Sequence, residues 1–181
     1  DEGSVETLAD RLGVTSRWLR GLFTEHVGAS PLEVALTRRV HFARRLLDET
    51  DLPLEDVAVA AGFGSARRLR AAFGRTFRRP PGEVRREPRA AAPGALALRL
   101  PAREPFAPGP ILAFLAARAI PGVEEVEGAV YRRTAAPAAP DATLEIEASP
   151  RGLELRVAGA GPAELPRVVA AAARVFDLGA D

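Results

Sequence analysis

The sequence predicts two domains. The first is an all-α tandem of helix-turn-helix units with a linker helix; the second is α+β, an antiparallel sheet of four or five strands with two helices on one face. Three observations carry this reading. A helix, glycine turn, helix pattern occurs twice within residues 1–88 at a nearly constant offset. A small-residue stretch, RAAAPG at 89–94, then interrupts the chain, and beyond it the apolar period changes from helical to alternating. At 181 residues there is room for one large or two small domains. The boundaries are expected at 1–88 and 95–181.

The pattern is clearest in LEDVAVAAGFGSARRLRAAFGRTFRRPP (54–81), which predicts a short helix over 54–61, a Gly62-Phe63-Gly64 turn and a helix over 66–77. Gly62 suits the site just past a helix end, where positive φ is needed, and Ser65 can accept a bond from an orphan N–H of the next helix. Leu69, Ala72, Phe73 and Thr76 then share one side at helical spacing. Arg67 and Arg78 point away from that side, with Arg68, Arg70 and Arg75 on its flanks. An arginine face on the second helix of such a unit is what a DNA recognition helix needs. The plain alternative is an arginine-coated surface helix in a chain that uses arginine everywhere.

The repeat favours the first reading. Adding fifty aligns Thr15 with Ser65, Arg17 with Arg67, Leu19 with Leu69, Arg20 with Arg70, Phe23 with Phe73 and Pro31 with Pro81. Before the turn the offset is forty-nine, Gly13 against Gly62, so the second turn is one residue longer. In the first unit Leu8, Ala9 and Leu12 are expected to face inward from a helix over 5–12. Thr15 should cap a recognition helix over 16–27 that Gly28 stops. Leu19, Leu22 and Phe23 form its core side, with Ser16, Arg17 and Arg20 outside. Trp18 reads as a packing or phosphate-shelf residue rather than a base reader. Ser30-Pro31 starts the linker helix, 31–49, on whose solvated face lie Arg38, Arg39, Arg44 and Arg45, one or two of them in reach of phosphate. A terminal helix over 81–86 closes the unit. Arg78 stands where the first unit has Gly28: either it takes positive φ at a cost of roughly 1 kcal/mol, or the helix runs on.

In the second half, strands are expected over 95–100, 124–126, 129–134, 143–148 and 153–157. Helices are expected over 108–119, with Ile111, Leu112, Leu115 and Ala119 inward, and over 163–176. TAAPAAPD (134–141) is a loop.

Composition narrows the function. There is no cysteine, hence no disulfide, thiolate metal site or cysteine nucleophile, which fits a reducing cytoplasm. No apolar run approaches the roughly 18–20 residues of a membrane span. Residues 1–89 hold sixteen arginines against thirteen acids and residues 90–181 nine against eleven, so positive charge gathers in the first half. His26 and His41 have no metal-ligand spacing. Glu124, Glu125 and Glu127 read as a solvated edge that discourages aggregation, and Arg132 and Arg133 as residues that graze DNA or as plain surface. No catalytic constellation, metal site or cofactor motif emerges.

Two resemblances add to this. Leu8-Ala9…Gly13-Val14-Thr15, Leu19…Phe23, Arg39…Ala43…Leu46-Leu47, Ala58…Ala61-Gly62-Phe63-Gly64-Ser65, Phe73 and Pro80-Pro81…Arg85 resemble the AraC/XylS family of bacterial transcription regulators. FLAARAIPGVE (114–124), Tyr131-Arg132-Arg133 and Phe176-Asp177-Leu178 look like the N-terminal domain of AlkA-type DNA-3-methyladenine glycosylase II. Together they imply the Ada–AlkA arrangement of the adaptive response to alkylation. The expectation is then a bacterial cytoplasmic protein bound to double-stranded DNA, with RNA polymerase as a further partner. A methyl-acceptor domain ahead of this piece and a glycosylase catalytic domain behind it are expected in the same polypeptide. The expected base readers are Ser16, Arg17 and Arg20 in the first unit and Arg67, Arg68 and Arg70 in the second. Thr15, Ser65 and Ala66 lie at the helix starts where phosphates are held. Two functions stay open: a regulatory DNA-binding module, or the front of a base-excision enzyme that uses its helix-turn-helix part to concentrate on DNA. A third, a ligand-sensing regulator, needs a pocket of convergent polar groups among apolar walls, which the sequence does not reveal.

Overall fold

The computed structural model describes residues 4–85 and 95–179. The first stretch contains α1 (Val5–Leu12), α2 (Ser16–Val27), α3 (Pro31–Glu49), α4 (Leu54–Ala60), α5 (Ala66–Phe77) and a 3₁₀ turn, Pro81–Glu83. The second contains β1 (Ala95–Pro101), α6 (Pro108–Ala116), β2 (Glu124–Glu127), β3 (Val130–Thr134), β4 (Thr143–Ser149), β5 (Gly152–Ala158) and α7 (Leu165–Val175). The linker expected at 89–94 lies outside the described residues; the terminal helix expected over 81–86 is a single 3₁₀ turn that ends at Glu83, before Val84 and Arg85.

Hydroxyl caps set the helix starts. Ser4, Thr15, Ser30 and Ser65 each accept the backbone N–H three residues on. At α3 the cap is reciprocal: Glu33 takes the Ser30 N–H at 2.8 Å, and this bond, with that from the Ser30 hydroxyl, holds its carboxyl below the ordinary range. The glycine stops are equally regular. Gly13 (φ 68°) and Gly62 (φ 73°) turn the chain so that Val14 N–H reaches the Ala9 carbonyl (3.0 Å) and Phe63 N–H the Ala58 carbonyl (2.8 Å). Arg78 adopts φ 58°, so α5 ends there as α2 ends at Gly28 (φ 71°), and the repeat is kept at the cost of a strained non-glycine residue.

α3 packs chiefly on α4 and α5, and less on α2. That asymmetry explains where the burial pattern departs from expectation. The second unit buries Val57, Ala58, Ala60, Leu69, Ala72 and Phe73, whereas the first fully buries Ala9 and Leu19. Leu8 (39% exposed) and Leu12 (58%) do not face a core, and Leu22 and Phe23 are only half-buried. Thr76 is also outside, its hydroxyl returning to the Ala72 carbonyl at 3.1 Å. Phe77 takes the inner place instead, with its ring 4.6 Å from Phe73 and 5.4 Å from His41. The Arg85 guanidinium then donates to the carbonyls of Thr50 (3.3 Å) and Leu52 (2.6 Å), tying the end of this domain to the α3–α4 connection.

The sheet is antiparallel throughout, in the order β1-β5-β4-β3-β2. Its register lines up Leu98, Leu155, Ile146 and Tyr131 across one face, all buried. Leu112 of α6 and Leu165, Val168 and Ala172 of α7 belong to the same core, with Phe176 edge-on to Tyr131 at 6.2 Å. Helix α6 stops at Ala116, short of the expected 119, and Ala119 lies half-buried beyond it. The Tyr131 hydroxyl donates to Glu124, and burial with that carboxylate pushes the phenol up to about 12. On the opposite face Glu145 binds Arg132 (2.9 Å) and Arg156 (2.6 Å). The two domains meet where the Glu49 carboxylate at the end of α3 accepts the Arg99 N–H of edge strand β1 at 2.6 Å.

Two outcomes follow for stability. Gly152 has φ 128°, and a Cβ there would stand 2.2 Å from the Leu100 carbonyl oxygen. Gly152→Ala should therefore cost about 1–3 kcal/mol in urea unfolding, whereas Gly21→Ala, on an open helical surface, should be neutral or slightly stabilising. Equal effects would contradict the strand contact. The bonds from Arg132 and Arg156 hold the Glu145 carboxyl below its ordinary range, so its contribution is present above the unfolded value near 4.5 and lost as pH falls through the folded one. The stability gap between the natural chain and Glu145→Gln should shrink as pH drops from about 6 to about 3, read by thermal unfolding.

Candidate nucleic-acid interface

The two helices expected to read DNA are built alike. α2 and α5 each have twelve residues, a hydroxyl cap, a left-handed stop and a buried leucine, Leu19 or Leu69, four residues after the cap. The cap spends one first-turn N–H on itself: Thr15 Oγ1 takes the Trp18 N–H at 3.2 Å and Ser65 Oγ the Arg68 N–H at 3.3 Å. Helix geometry leaves other first-turn N–H groups without intrahelical acceptors, a natural seat for an anionic oxygen.

Around these starts the expected residues differ in exposure and in partners. Arg17, Arg67, Arg68 and Arg70 are exposed, and their guanidiniums have no ion-pair or hydrogen-bond partner among the described residues. Thr15 and Ser65 are exposed too, while Ser16 and Ala66 are half-buried. Arg20 differs. Its Nη2 lies 2.6 Å from Glu6 Oε1 of α1, with both side chains more than half exposed. The Glu6 carboxyl is held below its ordinary range by its own backbone N–H and then by Arg20. The equivalent pair of the second unit, Glu55 and Arg70, is not formed. Glu6 was not singled out by the repeat, although an offset of forty-nine would have matched it to Glu55.

Other charged residues are engaged elsewhere. Arg44 lies over the Phe77 ring at 4.8 Å and beside Asp48 at 3.5 Å. Arg132 is held by Glu145 and Glu127, and Arg133 donates to the Thr134 carbonyl at 2.9 Å. Glu124 is half-buried under Tyr131 rather than a free solvated edge. Trp18 is 54% exposed, which removes it from the packed interior. Guanidiniums on a helix start can form paired hydrogen bonds to guanine O6 and N7 or to phosphate; nothing here resembles a nucleophile with its base. Among the described residues no helix is long and apolar enough to cross a membrane, and no group of three acidic or histidine side chains is placed to hold a metal.

Residues 8–87 match the family model of a helix-turn-helix domain, and residues 97–181 that of the AlkA N-terminal domain. A "Probable bifunctional transcriptional activator/DNA repair enzyme AlkA" from Mycobacterium tuberculosis (strain ATCC 25618 / H37Rv) is 44% identical over 140 residues, covering 74% of this chain and 28% of that protein. The "HTH-type transcriptional regulator GlxA" of Rhizobium meliloti (strain 1021) is 39% identical over 79 residues, 44% of this chain and 24% of its own. Among solved structures, the DNA-binding domain of AdpA, a global transcriptional factor in complex with a target DNA, is 36% identical with a TM-score of 0.44, covering 45% of this chain and 74% of that one. The chain therefore spans 28% of the length of the AlkA relative it matches.

The caps can be tested without any ligand. Thr15→Ala and Ser65→Ala should each lower stability by about 1 kcal/mol, and Ser65→Asp should restore most of it. Chemical unfolding of the three variants decides; no loss in either alanine variant would mean the caps do not set these helix starts.

Proposed function

We propose that this chain, an AraC-type helix-turn-helix domain joined to an AlkA N-terminal domain, binds double-stranded DNA in a sequence-specific manner. The observation that carries the reading is the repeat itself. Two twelve-residue helices with equivalent caps and equivalent exposed arginines stand on one bridging helix of nineteen residues. That bridge is about 28 Å long at 1.5 Å per residue. The major groove comes round every ~34 Å, so α3 has the length to serve two neighbouring turns.

In this reading the domains run over 1–88 and 95–181. Ser16, Arg17 and Arg20 read base edges from α2, and Arg67, Arg68 and Arg70 from α5. Thr15, Ser65 and Ala66 hold phosphate through the N–H groups at the helix starts. The guanidiniums displace counterions, so affinity falls steeply with salt. Arg20 has to leave Glu6 to reach a base, which makes it the most costly of the readers to engage. The whole polypeptide regulates transcription within the alkylation-damage response of a bacterial cytoplasm, touching RNA polymerase, and carries its glycosylase chemistry outside this piece. The match of residues 97–181 to the AlkA N-terminal domain supports a second reading, in which the helix-turn-helix half serves chiefly to concentrate a base-excision enzyme on DNA.

Selection of a binding site from random duplexes, followed by titration, separates these readings. Arg67→Ala should cost about 1–3 kcal/mol at the selected site and relax preference at one base pair. Glu6→Ala should free Arg20 and tighten binding. Unchanged binding by Arg67→Ala would remove it from the readers, and failure to select any consensus would favour the concentrating role.

A further inference from the structure

A cleft of about 610 Å³ lies between the two domains, bounded by α3 and the turn after α4 on one side and by β1 and α7 on the other. Sites for small organic molecules usually have volumes of roughly 300–1,000 Å³ and apolar walls with few polar groups. This cleft has that make-up. Phe42, Leu100, Val169 and Leu178 are among its walls, and every other lining residue is apolar or glycine except Arg38, Arg39 and Arg45. None of these three arginines has an ion-pair or hydrogen-bond partner among the described residues, and no acidic side chain lines the cleft. The linker helix was expected to carry them on its solvated face, one or two in reach of phosphate; Arg38 and Arg39 are exposed and Arg45 half-buried, and all three also border an apolar hollow that the second domain completes.

We propose that this cleft binds an amphipathic organic anion, a carboxylate on an aliphatic body of medium length. The carboxylate pairs with the guanidiniums of α3, and the aliphatic body covers the walls that β1 and α7 supply. A neutral apolar molecule would make no use of the three guanidiniums, a cation would be repelled, and a polyphosphate backbone would leave the walls bare. The site needs both domains, so an occupant fastens one to the other. It also reaches the second helix-turn-helix unit: Arg39 Nε stands 3.3 Å from where a Cβ on Gly62 would be, in the turn that leads to α5. The inference stands apart from DNA binding, and duplex DNA enters its test only as a competitor.

The full chain is titrated with 8-anilinonaphthalene-1-sulfonate, and the bound probe is then displaced by decanoate, decanol or decylammonium. One saturable site is expected, with decanoate at least about tenfold more effective than the other two. Ala170→Trp, which fills the cleft from the exposed side of α7, and Arg39→Gln should each weaken decanoate by about tenfold, while Ala113→Trp on the exposed side of α6 should leave it unchanged. Thermal unfolding with and without decanoate gives a second reading: the natural chain is stabilised and Arg39→Gln is not. Equal displacement by all three compounds, indifference to both Ala170→Trp and Arg39→Gln, or displacement of the probe by duplex DNA as readily as by decanoate would overturn the proposal.

Discussion

Helix α3 is the constraint on which the rest depends. Its buried face, Val40, Ala43, Leu46 and Leu47, forms the floor of the second helix-turn-helix unit, and both its ends are fixed. The reciprocal bonds between Ser30 and Glu33 set the start. At the other end the buried Thr50 returns its hydroxyl to the Leu46 carbonyl at 2.6 Å, while its own carbonyl accepts Arg85. One residue earlier, Glu49 holds the edge strand of the second domain. A helix so pinned cannot change length or direction without breaking several charge-assisted bonds at once. The placement of both recognition helices and of the second domain follows from it.

The two helix-turn-helix units share their punctuation more than their interiors. On the two twelve-residue helices, caps and stops coincide to the residue, even where the second stop is an arginine at φ 58°. Their cores do not: Phe73 is fully buried while its counterpart Phe23 is half-buried. Local bonds at helix ends are decided by a few neighbouring residues, so a repeat copies them faithfully. Burial is decided by what lies opposite, and α3 lies mostly opposite the second unit. The looser first unit is thus a result of where the bridging helix packs, with its local signals intact.

The same distinction separates what was legible in the sequence from what was not. Thr15, Ser65, Gly13 and Gly62 announce themselves because capping and positive φ are properties of four or five consecutive residues. The strands were legible for a similar reason: Leu144, Ile146 and Ala148 alternate with Glu145 and Glu147, and the structure buries the first set. The helical wheel failed at Thr76 because Phe77, nearly as close to the inner side, has far more apolar surface to hide and the rings of Phe73 and His41 to meet. Glu6 against Arg20 and Glu49 against Arg99 are pairings between separate elements, and the apolar walls beside the three arginines of the cleft come in part from the other domain. No periodicity contains them. The fold was therefore readable nearly throughout, while the state of each candidate reader, paired or unpaired, was not.

The outer surface of the sheet has a consequence for how any polyanion can approach. Arg132 and Arg156 are ion-paired cations there, with Arg99 on the same face by register, and four glutamates, Glu127, Glu145, Glu147 and Glu154, lie within ion-pair distance of Arg132 or Arg156. Glutamates thus outnumber arginines on that face, and its ion pairs are held by bonds as short as 2.6 Å, which disfavours phosphate there. The second domain therefore turns outward a face on which carboxylates predominate.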